Sequence, residues 1–99
     1  MKDLSVIVYT MEGCPFCTDF KEMLTNEGIE FFDRDIDEYP DEYDLFTKAT
    51  GNEYVPSFMT IESPEESPVS KLFAPERDFD EITDGLQIIR EFYQQKSPL

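Results

Sequence analysis

Leu4-Ser5-Val6-Ile7-Val8-Tyr9-Thr10-Met11-Glu12-Gly13-Cys14-Pro15-Phe16-Cys17 is the stretch on which the fold turns. Leu4 to Tyr9 form a short, β-branched apolar run, the pattern of a buried strand. Thr10 to Gly13 follow as a loop, and Cys14-Pro15 opens a helix. Proline suits a first helical position because the N–H it lacks would be unpaired there. Phe16, Phe20, Met23 and Leu24 then recur at i, i+4, i+7 and i+8, which makes one apolar helical face. Gly28 ends that helix as its C-terminal cap.

Beyond this unit, Glu30 to Ile36 read as a second strand with Phe31 and Phe32 as its apolar content. Pro40 stands in the first turn of a second helix that carries Tyr39, Tyr43, Phe46 and Ala49 and closes at Gly51. Val55 to Ile61 form a third strand with Pro56 at its start, where a missing donor is tolerated. Glu62 to Pro68 are polar, acidic and twice broken by proline, so they form a loop. Val69 to Ala74 pair back across it as a fourth strand. Ile82, Leu86, Ile89 and Tyr93, with Gly85 and Phe92 beside them, make a last amphipathic helix from Asp80 to Gln94. The order is βαβ, then a helix, then ββα. The first unit implies a right-handed crossover with parallel pairing, and the hairpin adds antiparallel strands. Neither a repeat nor a linker divides residues 1–99, which are expected to form one domain.

Composition narrows the chemistry. Eight Lys and Arg stand against 23 Asp and Glu, with no histidine, for a net charge of −15 over 99 residues. A duplex nucleic-acid reader and a binder of anionic membranes both need a broad basic face, and neither is expected. The missing histidine excludes Ser-His-Asp hydrolysis, papain-like Cys-His chemistry and histidine-rich zinc sites. No apolar run approaches the roughly 18 residues that span a bilayer. No small-residue cleavage site follows Leu4–Tyr9, so a signal peptide is not expected and the chain reads as cytoplasmic.

Cys14 and Cys17 are the only thiols. At a helix start, unpaired backbone N–H groups and the helix dipole stabilise a thiolate on Cys14. Cys17 lies one turn deeper, on the face of Phe20 and Leu24, and is expected to be more buried and less reactive. The outer thiolate attacks a disulfide and the inner thiol resolves the mixed disulfide. Three plainer readings stand beside this one. Closing so short a loop removes little entropy from the unfolded chain, which argues against a purely structural disulfide. Two thiolates are half a zinc site. Two cysteines without a role would pack as small hydrophobes.

Tyr9-Thr10, then Gly13-Cys14-Pro15-Phe16-Cys17, then Val55-Pro56, resemble a dithiol glutaredoxin, and the order of elements matches that family over nearly the whole chain. The resemblance implies a thioredoxin-like α/β fold, a four-stranded mixed sheet flanked by three helices. It implies a thiol–disulfide oxidoreductase with catalytic Cys14 and Cys17 and a cis bond before Pro56. Glutathione is implied as the reducing co-substrate, held by Phe16, Tyr54, the Val55 backbone, Phe79 and Asp80. Asp80 would meet the γ-glutamyl ammonium, and it is equally read as a plain N-cap. Disulfide-containing proteins, glutathione adducts or a ribonucleotide reductase are the implied acceptors. A monomer with no metal is expected. Two alternatives stay open: an electron donor of the same fold recharged by thioredoxin reductase, and a binding module holding an iron–sulfur cluster between two chains. Pro15 counts against the cluster.

The chain also departs from the family pattern. Met11 and Glu12 stand where many members carry lysine, Phe16 replaces tyrosine, Tyr54 replaces threonine, and Glu76-Arg77 replace Gly-Gly. Arg77 and Lys48 are the cations that could meet a glutathione carboxylate. With Glu12 and Asp19 near and Lys21 seven residues on, the Cys14 thiolate is expected to be stabilised only modestly. Between Glu30 and Asp44 lie eight acidic residues and one arginine. They read as a solvated surface, or as a face that selects basic partners.

Overall fold

The computed structural model describes residues 3–63 and 68–96. Its elements are β1 (Asp3–Thr10), α1 (Pro15–Asn26), β2 (Phe32–Asp35), α2 (Pro40–Thr50), β3 (Ser57–Ser63), β4 (Val69–Phe73) and α3 (Ile82–Lys96). The strands lie in the order β2-β1-β3-β4. β1 runs parallel to β2 and antiparallel to β3, and β4 is antiparallel to β3. The result is the expected mixed sheet with three helices.

Alternation along β1 divides the core in two, because successive side chains of a strand point to opposite faces. Val6 and Val8 are buried with Phe20 and Leu24 of α1 and with Leu86 and Ile89 of α3. Ile7 and Tyr9 face the other way, onto Phe46 of α2 and onto Ala74. Phe58 of β3 is fully buried at the centre of the first layer. Its ring lies 5.8 Å from that of Phe20, 4.9 Å from Phe73 and 5.5 Å from Phe79. Gly85 lets α3 come down on this cluster, since a Cβ there would sit 3.3 Å from Phe58 Cε1.

The helix ends follow from their residues. At the end of α1 the Ile29 N–H donates to the Leu24 carbonyl and the Gly28 N–H to that of Thr25, with Gly28 at φ 70°. This is the glycine-dependent C-terminal motif. α2 has Pro40 at its start, Asp41 and Glu42 in its first turn and Lys48 in its last, all favourable to the helix dipole, and Gly51 follows in the left-handed conformation.

Several sequence expectations shift. β2 is shorter than Glu30–Ile36: pairing begins at Ile7 opposite Phe32, and an Asp35 carboxylate accepting the Asp37 N–H turns the chain at its end. Of its two phenylalanines, Phe31 packs on the core, while Phe32 is 55% exposed. β3 starts two residues after Val55, because ladder pairing begins with Ser57 opposite Tyr9, past the donorless Pro56. It also runs on through Glu62 and Ser63, which the sequence places in a loop; residues 64–67 of that loop lie outside the described residues. β4 ends at Phe73, one residue before the buried Ala74.

The last helix begins at Ile82, not Asp80. The Glu81 carbonyl accepts the Gly85 N–H at 3.2 Å, and the Asp84 carboxylate accepts the Glu81 N–H at 3.1 Å. Glu81 therefore occupies the capping position, so the plain N-cap reading of Asp80 is corrected. Asp80 stays exposed one residue upstream.

Candidate active site

The site is built where β1 runs out. Gly13 turns the chain at φ 81°, a conformation that costs glycine little, and Cys14 follows with extended backbone as the N-cap of α1. Cys14 and Cys17 are joined as a disulfide with their Cα atoms 5.2 Å apart. The Cys17 backbone N–H donates to Cys14 Sγ at 3.2 Å, so sulfur takes the role that a hydroxyl or carboxylate oxygen plays in an ordinary cap. The Cys14 carbonyl accepts the Thr18 N–H at 3.1 Å. A charge formed on Cys14 Sγ meets that donor and the positive end of the helix.

The two sulfurs differ in access. Cys17 is 1% exposed and continues inward to Phe20 and Leu24, while Cys14 is half-buried at the surface. Phe16, between them, is 64% exposed. The cation nearest along α1 is engaged elsewhere: Lys21 Nζ lies 2.9 Å from Asp33 Oδ2, and Thr10 Oγ1 donates to Asp33 Oδ1 at 2.6 Å.

Beside the pair lies a groove of about 520 Å³ that gathers Phe16, Tyr54, Val55, Pro56, Phe79 and Asp80. These are the binding positions expected from the sequence, together with the structural proline. Cys14 is not among the lining residues. The Val55–Pro56 bond is cis, and Pro56 is buried. Ser57, next along, is fully buried with its hydroxyl unpaired. Tyr54 stands 59% exposed at one wall of the groove.

Sequence reasoning missed three residues here. Asn52 ties the two walls together: its Oδ1 accepts the Tyr54 N–H at 2.8 Å and its Nδ2 donates to the Pro75 carbonyl at 2.7 Å. Glu76 adopts φ 70°, so a glutamate holds the left-handed backbone at a position where the resemblance has glycine, and its N–H donates to the Phe79 carbonyl at 2.7 Å. Glu81 also lines the groove. Only the Gly-Gly replacement at Glu76-Arg77 hinted at any of them.

The two cations considered for this groove do not line it. Arg77 donates to Asp78 Oδ2 at 2.8 Å and to the Leu72 carbonyl at 3.3 Å. Lys48 lies 2.9 Å from Asp44 Oδ2, in a shallow depression on the other side of Tyr54. A larger groove of about 940 Å³, lined by Phe32, Arg90 and Tyr93 among others, does not include the cysteine pair. Among the described residues no cluster of three or more His, Cys, Asp or Glu is arranged to hold a metal ion, and no helix is long and apolar enough to cross a membrane.

Residues 6–60 match the sequence model of the glutaredoxin family, a span holding the cysteine pair and the cis proline. The chain belongs to the glutaredoxin family. It is a redox domain of that family with its two cysteines close together. No curated protein sequence matches it. Among solved structures its fold is similar to Plasmodium falciparum thioredoxin, at 17% identity and a TM-score of 0.59 over 96% of this chain and 72% of that one. Trichomonas vaginalis thioredoxin is similar at 15% identity and a TM-score of 0.58, covering 90% of this chain and 78% of that one. A thioredoxin-like protein is also similar at 15% identity and 0.58, over 86% of this chain and 99% of that one.

Proposed function

We propose that this family member reduces disulfides of proteins and glutathione adducts through its dithiol, with Cys14 as nucleophile and Cys17 as resolving thiol. The observation that carries the reading is the unequal access of the two sulfurs at one helix start: Cys14 is half-buried at the cap, and Cys17 is fully buried one turn deeper.

In the reduced state the Cys14 thiolate attacks one sulfur of a substrate disulfide. A bond forms from Cys14 Sγ to that sulfur, and the other sulfur leaves as a thiolate that takes a proton. Cys17 then loses its proton and attacks Cys14 Sγ, which expels the second substrate thiolate and closes the Cys14–Cys17 disulfide. Two electrons pass from the dithiol to the substrate. The cap geometry lowers the cost of the charge that Cys14 carries as the attacking thiolate of the first stage.

Glutathione is the reductant that family membership supports: two molecules would reopen the disulfide and leave as glutathione disulfide. The groove offers the Val55 backbone for its cysteinyl part, Phe79 for apolar contact and Asp80 for its ammonium. Among the described residues no cation lines the groove to meet its carboxylates. That observation favours a second reading, recharging by thioredoxin reductase. A ribonucleotide reductase is one acceptor class the family brings, and a cytoplasmic, monomeric protein formed of one domain belongs to the same proposal.

The test is disulfide turnover with glutathione and its reductase in one arm and thioredoxin reductase in the other. Turnover with glutathione supports the first reading, and turnover only with thioredoxin reductase replaces it by the second. No turnover in either arm by a folded, reducible protein contradicts both.

A further inference from the structure

Among the described residues, the groove beside the cysteines carries three carboxylates, Glu76, Asp80 and Glu81, and no lysine or arginine. Among the described residues none of these three side chains has a hydrogen bond or an ion pair, so their charge is not neutralised locally. The neighbouring cations are taken: Lys21 by Asp33, Lys48 by Asp44 and Arg77 by Asp78. The groove's polar charge is therefore of one sign, while its apolar surface is supplied by Phe16 and Tyr54, both well exposed. Exposed aromatic rings bind peptide side chains and also stack on guanidinium groups.

We infer that the groove selects polypeptide disulfides flanked by lysine or arginine, and that it discriminates against acidic ones. The inference rests on the oxidoreductase reading above and adds the substrate class to it. A basic residue beside the target cysteine meets unpaired carboxylates as its disulfide reaches Cys14, and its aliphatic stem or guanidinium lies against an aromatic ring. An acidic flank meets like charge with no cation to relieve it. The net charge of −15 acts at longer range in the same direction, by drawing basic surfaces toward the protein. The redox step is unchanged: the substrate disulfide gains two electrons as Cys14 and Cys17 are oxidised.

Two cyclic disulfide peptides with the same ring, one flanked by lysine and arginine and the other by glutamate, test the inference. The full chain is reduced with a phosphine, desalted and mixed with each peptide in a single turnover. Rates are normalised to those of dithiothreitol with the same peptide. The expected basic-to-acidic ratio is about tenfold at low salt, collapsing in 0.5 M salt as exposed charges are screened. Neutralising the groove as Glu76→Gln, Asp80→Asn and Glu81→Gln together lowers the ratio several-fold. The same charge change placed away from the groove, as Glu22→Gln, Glu38→Gln and Asp41→Asn, leaves most of it. A wild-type ratio near one overturns the inference, and so does an equal fall in both triple variants. Because each ratio is internal to one protein, loss of folded material in a variant does not mimic the effect, and the wild-type salt response is an independent reading. If folded wild-type protein reduces neither peptide, the oxidoreductase reading itself fails, which is a different result from equal rates.

Discussion

Lys21 is bound to Asp33 at 2.9 Å, and Asp33 is held in turn by the Thr10 hydroxyl, so the one lysine of α1 is tied across to β2. The Cys14 charge is left to the cap N–H and the helix terminus, with the acidic Glu12 two residues upstream. Glu12→Lys is expected to speed alkylation of Cys14 in the reduced protein at pH 6 by about three- to tenfold, the scale of a charge reversal near a helix start. Asp33→Asn, which frees Lys21, should give a smaller rise. Alkylation followed by mass spectrometry checks both, and an unchanged Glu12→Lys rate contradicts the electrostatic picture.

Asn52 holds both walls of the groove through Tyr54 and Pro75. Asn52→Ala is expected to cost about 1–3 kcal/mol, the range for leaving part-buried hydrogen-bond partners unpaired. It should raise KM for a protein disulfide more than it lowers kcat, because it disturbs the groove and leaves the cap of α1 intact. Urea unfolding together with steady-state kinetics separates the two effects.

Glu76 occupies the left-handed region at φ 70°. An L-residue there is disfavoured by roughly 1–2 kcal/mol, and glycine's extra freedom in the unfolded chain returns part of that. Glu76→Gly should therefore stabilise the protein by up to about 1 kcal/mol, read as a higher urea midpoint at unchanged slope. A lower midpoint would show that the Glu76 side chain holds the turn in some other way.

Tyr9 is buried in the layer under α2, and this burial, with the Glu42 carboxylate beside it, holds its phenol well above the ordinary value of about 10. Tyr43 and Tyr93 are raised in the same direction, chiefly by burial. A raised folded value means that the unfolded chain releases its proton first. Stability is therefore fully present below about pH 10 and is lost as pH climbs toward the folded values. Tyr9→Phe should flatten that alkaline loss. Unfolding midpoints measured from pH 8 to about 11 check the slope, and an identical slope in the variant contradicts the assignment.

The parts legible in the sequence were those with local causes. The β-branched Val6-Ile7-Val8 run, proline behind Cys14 and glycine after α1 each have a strong backbone preference; the cap formed as read, and the strand formed one residue longer at each end, from Asp3 to Thr10. The misplaced boundaries depended on partners distant in sequence. Phe32 is exposed because register with Ile7, and not hydrophobicity, determines where β2 begins. Asp80 gave up the cap because Asp84 reaches back to the Glu81 N–H. Glu76 gave no local sign of its positive φ, since glutamate has no preference for it. The groove positions came from family resemblance, and the folded chain brings Phe16, Tyr54, Val55, Phe79 and Asp80 to one place. Its lack of a cation depends on ion pairs that only the fold defines.

The two sulfurs divide the labour, Cys14 attacking the substrate and Cys17 releasing it. Cys17→Ser, reduced and mixed with a protein disulfide, should accumulate a stable mixed disulfide, and peptide mapping should place it on Cys14. Cys14→Ser should accumulate none at the same pH, because Cys17 is buried. Trapping on Cys17, or equal trapping by both variants, would contradict the claim.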